Sequence, residues 1–265
     1  MVINKERNYF SNFYLFLVYL FMFLPIFVVI VYSFNSSKMN IVFASFTTKW
    51  YFSLLQNQGL IEALKNTLLI ALCSTLFSGF IGTIGAFGMH KYEFPGKQLL
   101  DALLYIPVVI PEIVLGISLL MMFSLLELKL GLFTILLAHI TFSVPFVIIT
   151  VRARLASFDK YLEEASLDLG AGRFQTFIHV VFPLIRPGVF SGLMLVFTLS
   201  LDDVIVTFFT AGPGSNTLPL KIFSMIKVGV SPEVNALFTI IMLFTILCLG
   251  GATILQLQKL KALKN

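Results

Sequence analysis

The chain has 265 residues, 58% hydrophobic and only 12% charged. Soluble domains carry about a quarter charged residues, and this composition in water would expose large apolar patches, so an all-α polytopic membrane protein is expected, with the lipid bilayer as its surroundings. The net charge of +5 is spread over connecting segments rather than gathered in one patch, which argues against nucleic acid as a partner.

In chain order, residues 1–12 form a polar start with Lys5 and Arg7. Residues 13–34 are a continuous apolar run, long enough to cross a hydrocarbon core of about 30 Å. A cleaved signal peptide would have a shorter apolar core and a small-residue cleavage site, so this is expected to be an uncleaved first span, kinked near Pro25. Residues 35–65 make a polar-aromatic connection in which Trp50 and Tyr51 are placed to mark a membrane interface or simply to pack the loop, two compatible roles. The second span is expected at 66–89. Ser74, Ser78, Gly82 and Ala86 recur there every four residues with Gly79, Gly85 and Gly88 beside them, a stripe that lets helix backbones approach closely in lipid.

The third span, 99–126, must break or kink at Pro107 and Pro111, because each proline removes a backbone donor. Glu112 sits beside that break. A tight turn at 127–131 leads to the fourth span, 132–151, which holds His139 and Pro145. A lone histidine there is expected to be a hydrogen-bonded interior residue. The fifth span is expected at 188–210 with Asp202 and Asp203 inside it, and the sixth at 236–257, before a Lys-rich tail at 259–265. Six spans place twelve of the eighteen Lys and Arg residues on the side of both termini and of segment 152–187. The basic residues therefore predict that this side is cytoplasmic. The two cysteines fall in apolar runs, and neither a disulfide framework nor metal-ligand spacing is legible.

Segment 152–187 is the long polar excursion of the second half. Asp159 is placed to cap a short helix in which Tyr161, Ala165 and Leu169 share one face. Gly170-Ala171-Gly172 breaks it. Phe174, Phe177, Ile178 and Val181 then follow a helical period, and Pro183 is expected to end that second helix. Glu164-Ala165-Ser166, Gly170, and the Val180-Val181-Phe182-Pro183 run resemble the EAA loop of the permease subunits of ABC importers, with Ser166 and Phe182 as mild departures from the family's Ala and Leu.

That resemblance implies a type I importer permease fold whose transmembrane domain spans residues 66–258. It also implies that Glu163, Glu164, Ala165, Ser166, Gly170 and Pro183 form a cytoplasmic coupling loop against an ATPase subunit. The chain lacks the Gly-x-x-x-x-Gly-Lys-Ser/Thr phosphate loop, since Lys91 stands where the first glycine before Gly96-Lys97 would be. It also shows no catalytic triad. A transport subunit rather than an enzyme is expected, without a cofactor of its own, with ATP and magnesium held by a separate ATPase.

Three acids lie within spans: Glu112, Asp202 and Asp203. An ionised carboxylate in mid-bilayer costs about 2.5–3.5 kcal/mol on insertion scales, so such residues face a polar partner or an aqueous path. Successive residues on a helix diverge by about 100°, so in regular helix one of Asp202 and Asp203 faces a pathway and the other a neighbouring helix. Structural and pathway roles remain open for each acid. The absence of Lys and Arg within the spans favours a cationic substrate.

Stretches such as Tyr32-Ser33-Phe34-Asn35-Ser36-Ser37, His139-Ile140-Thr141-Phe142 and Phe197 through Asp203 resemble the polyamine branch of the family, which handles spermidine and putrescine. This implies a bacterial inner-membrane complex of this chain, a second related permease, two ATPase copies and an extracytoplasmic binding protein. Another small organic cation or a metal ion as cargo, and a stand-alone secondary transporter, are the alternatives; the docking loop argues against the last.

Overall fold

The computed structural model describes residues 9–37, 42–157, 159–226, 232–243 and 245–247. Lys5, Arg7, Cys248, the end of the expected sixth span and the 259–265 tail lie outside the described residues. What is described is helical, with one isolated antiparallel bridge between Asn35 and Phe46. In chain order the helices are α1 (Tyr9–Ser33), α2 (Lys49–Gln56), α3 (Gln58–Lys91), α4 (Lys97–Val109), α5 (Glu112–Leu125), α6 (Leu132–Leu155), α7 (Lys160–Asp168), α8 (Arg173–Thr176), α9 (Phe182–Asp202), α10 (Ile205–Thr210) and α11 (Leu218–Ile226). An apolar helix α12 follows over Pro232–Leu247.

Four of these paths are long and apolar enough to cross a membrane: Ser11–Ser33, Gln58–Lys91, Leu132–Leu155 and Arg173–Asp202. The α4–α5 pair, bent by 111°, makes a fifth if it counts as one broken span. The sixth expected span corresponds to α12, of which 16 residues at most are described, so the described residues carry four or five spans rather than six.

The chain divides into two compact units, residues Met1–Ile61 with Ser224–Asn265, and Glu62–Phe223. In the first unit, the connection after α1 is knotted around Asn35. Its amide donates to the Val42 carbonyl at 2.8 Å, its Oδ1 accepts from the Ala44 N–H at 2.9 Å, and its carbonyl accepts the Trp50 indole N–H at 2.6 Å. Trp50 is buried and Tyr51 bonds Ser33, so both aromatics pack the loop. The helical path to α3 also starts earlier than the span expected at 66, because Gln58 to Lys65 continue it without proline or glycine punctuation beyond Gly59.

The second unit holds most of α3 and the helices after it up to Phe223. Its core gathers Ala86, Met89, Val147, Val151, Leu155, Val181, Ile185 and Val196 from α3, α6, the α8–α9 junction and α9. The small-residue stripe of α3 packs as its composition predicts. A Cβ on Gly82 would stand 2.6 Å from Val147 of α6, and one on Gly79 would stand 2.3 Å from Leu193 of α9. Only the missing side chains allow this approach.

Two expectations change here. Pro183 does not end the helix before it. The path runs on from Arg173 to Asp202, because a wide turn over Phe177–Val181, closed by the Phe182 N–H on the Phe177 carbonyl, absorbs the missing donor of Pro183. The fifth span is not one regular helix either. α9 stops at Asp202, Asp203 takes an extended conformation (φ −63°, ψ 126°), and the short α10 begins at Ile205.

Candidate functional site

Two groups of residues singled out by sequence occupy separate places in the second unit. The first is the polar loop. Asp159 caps α7, its carboxylate accepting the Tyr161 N–H at 3.0 Å. Gly170 sits at φ +88°, the left-handed turn that ends the helix. The Ala171 N–H then reaches the Ser166 carbonyl at 3.2 Å. Ser166 is half-buried, its hydroxyl 3.1 Å from that of Thr176, which ties α7 to α8. Tyr161 and Leu169 are 76% and 89% exposed, and Ala165 and Glu164 are exposed with them. The apolar stripe of α7 therefore points away from its own unit. Glu163 turns inward and forms an ion pair with Lys91 at the end of α3. Pro183 is exposed in the first turn of α9.

The second group surrounds a cavity of about 530 Å³. It lies where two helical paths are interrupted: α4–α5 at Ile110–Pro111, and α9–α10 at Asp203–Val204. Glu112, Asp202 and Asp203 all line it, with apolar residues such as Leu115, Phe142 and Leu199, and no Lys or Arg does. The three acids that the sequence places within spans therefore share one cavity.

Their surroundings differ. The Asp203 side chain is only 5% exposed. Its carboxylate accepts from the Thr207 N–H at 2.7 Å, the Thr207 hydroxyl at 2.6 Å and the Val206 N–H at 3.3 Å, and it lies 3.4 Å from His139 Nε2. Those backbone donors are the free N–H groups of the first turn of α10, so Asp203 acts as its cap. Glu112 and Asp202 are exposed on the cavity side, with carboxylates available to a cation.

The network extends across the bundle. His139 is 1% exposed, as an interior histidine should be. Its Nε2 is 3.0 Å from the Thr207 hydroxyl and its Nδ1 is 2.7 Å from the Ser200 hydroxyl, which lies 3.2 Å from Ser74 of α3. Thr207 gives its one hydroxyl proton to Asp203, so its oxygen accepts from the ring, which puts the proton of a neutral His139 on Nε2. Of the two adjacent aspartates, whose structural and pathway roles the sequence left open, the bonded one is Asp203, because the helix break turns it toward α6. The signal was available in part: Asp203 and Thr207 are four residues apart, as capping and i,i+4 pairs require. The partnership with His139, 64 positions away, could not be read from one sequence. The Arg152–Asp101 ion pair between α6 and α4 was equally invisible.

A transmembrane bundle with paired broken helices, an acid-lined cavity and an exposed polar loop is the architecture of a transporter subunit. The family model described as binding-protein-dependent transport system inner membrane component matches residues 78–259. The chain belongs to that family, and is a permease component of an ABC importer, a transport subunit and not an enzyme.

Among individual relatives, it is 43% identical over 92% of both chains to the spermidine/putrescine transport system permease protein PotC of Escherichia coli K12. It is 38% identical to the putrescine transport system permease protein PotI of the same organism, over 86% of this chain and 84% of that one. In fold it is similar to a chain of a bacterial ABC transporter involved in the import of the acidic polysaccharide alginate, with TM-score 0.70 over 93% of this chain and 94% of that one at 16% identity.

Proposed function

We propose that this chain is the polyamine-conducting permease of a bacterial inner-membrane importer, carrying spermidine or putrescine into the cytoplasm after delivery by an extracytoplasmic binding protein. The observation that carries the reading is the cavity: three carboxylates, no base, and two interrupted helices around it. A polyamine is a flexible chain of ammonium groups separated by methylenes. Its passage needs carboxylates that replace lost hydration, few enough to release it again, and apolar walls for the methylenes. Similarity to relatives whose names specify spermidine and putrescine points the same way.

Asp202 and Glu112 are the cation-facing stations in this reading, and Asp203 with His139 fixes the broken helix that presents Asp202. The polar loop, with Glu164, Ala165 and Gly170 at its outward face, docks the ATPase subunit, which holds ATP and magnesium. Two ATPase copies and a second related permease complete the complex. Both termini and the docking loop lie in the cytoplasm, as the basic-residue bias supports.

The test is uptake of labelled spermidine and putrescine in a strain lacking the chain, with and without its return. Restored uptake of either supports the reading; restoration of a metal ion or another organic cation alone overturns the substrate. Docking has its own test: Ala165→Trp and Gly170→Val should abolish uptake and substrate-stimulated ATP hydrolysis while the chain still inserts, and normal transport by both refutes it.

A further inference from the structure

We propose that α3 is the rod that couples the docking loop to the acid-lined cavity, and that the Lys91–Glu163 ion pair is its fastening at the loop end. This rests on the reading of the polar loop as the ATPase dock.

The adjacent glutamates of α7 have opposite fates. Glu164 is exposed, whereas Glu163 turns about 100° away onto Lys91, the last residue of α3. The two paired side chains are 24% and 16% exposed, so water screens the pair less than it would on an open surface. The Lys91 ammonium also lies 5.5 Å over the Phe87 ring. The pair lines a small cavity together with Phe87, His90, Leu155, Glu164 and Leu167, and through this ion pair α7 rests on the end of α3.

The middle of the rod meets the cavity network. Ser74 of α3 lies 3.2 Å from Ser200, which bonds His139, which reaches Thr207 and Asp203. Ser74 stands about 26 Å along the helix from Lys91 at 1.5 Å per residue. Between them, α3 packs closely on α6 at Gly82, where a Cβ would meet Val147, and on α9 at Gly79, where a Cβ would meet Leu193. α3 also carries no proline over its 34 residues, whereas α1, α4, α6 and α9 each carry at least one. A helix fastened at its loop end, held at its middle, packed closely between the two and free of proline kinks transmits displacement rather than absorbing it. Lys91 and Glu163 are therefore positioning residues for coupling, and they touch neither substrate nor ATP.

The experiment uses the assembled complex with its ATPase and binding protein in vesicles, with labelled spermidine as probe. Lys91→Glu and Glu163→Lys should each lower uptake by about fivefold or more, with the ATPase still copurifying and more ATP hydrolysed per polyamine imported. The combined charge swap should return uptake to within about twofold of the parent. Full uptake by both single variants, or a swap no better than the worse single variant, overturns the proposal.

Where charge reversal prevents assembly, a second measurement decides. Cysteines at 91 and 163, in a background with Cys73→Ser and Cys248→Ser, are joined by a short bismaleimide. Retained uptake after joining supports a fastening that stays closed through the cycle, and uptake lost on joining overturns it. Failure of the docking reading itself would show separately, as normal transport by Ala165→Trp.

Discussion

The two interruptions that frame the cavity are made by different chemistry. The α4–α5 break is a backbone device: Pro111 lacks an N–H, takes φ −55° and ψ 135°, and the path turns by 111°. The α9–α10 break contains no proline. There an extended Asp203 caps the α10 N–H groups with its own carboxylate, and His139 and Thr207 hold the carboxylate. The first break survives the loss of any side-chain partner, whereas the second depends on several at once. The proline break also leaves Glu112 open to the cavity, while the capped break spends one acid on structure and leaves the next, Asp202, free.

The largest expected effect follows from that dependence. Asp203→Leu removes the acceptor from the Val206 and Thr207 N–H groups, the Thr207 hydroxyl and His139 together. Each buried group left without a partner costs about 1–3 kcal/mol, so folded complex recovered in detergent should fall by more than about tenfold. Normal yield would mean that the break holds without its cap.

Asp202→Asn sharpens the contrast between the neighbouring acids. With no side-chain hydrogen bond among the described residues, Asp202 should tolerate the amide, leaving yield and thermal midpoint unchanged while polyamine uptake falls about tenfold, or 1.4 kcal/mol. If yield falls as steeply as for Asp203→Leu, the division of labour is wrong. Full uptake would remove Asp202 from the path.

The first break was legible in the sequence and the second was not, for a physical reason. A proline announces its consequence locally, as do Gly170 at the end of α7, Asp159 at its start and the small residues along α3. Each acts through its own backbone or through an absence of atoms. The capped break needs a carboxylate, a histidine 64 positions away and hydroxyls on two helices, and a single sequence does not show which acid meets which helix. The same limit hid Lys91–Glu163 and Arg152–Asp101. It also produced the misplaced helix end at Pro183, where the wide turn at Phe177–Val181 overrides a rule that holds for regular helix.

A weaker perturbation of the capped break separates the network's members. Ser200→Ala removes the link between His139 Nδ1 and Ser74, but leaves Asp203 with its four contacts. The expected loss is about 1–3 kcal/mol, the cost of leaving one buried group, His139 Nδ1, without a partner, seen as a lowered thermal midpoint with partial retention of uptake. A loss as large as that of Asp203→Leu would show that the serines, rather than the aspartate, hold the break.

The smallest effect is expected at the proline that looks most decisive. Pro111 occupies the position before the first turn of α5, where φ −55° and ψ 135° are open to any L-residue. The first turn of α5 is still closed by the Val114 and Leu115 N–H groups on the carbonyl of residue 111, at 2.9 and 3.2 Å. Gly116 keeps α5 seated on α10, where a Cβ would stand 2.7 Å from Phe209. Pro111→Ala should therefore cost less than about 1 kcal/mol, mostly through the greater freedom of the unfolded chain, and uptake should stay within about twofold of the parent. Should it instead reduce uptake as far as Asp202→Asn does, the bend depends on the missing donor itself, and the two breaks would be equally fragile despite their different chemistry.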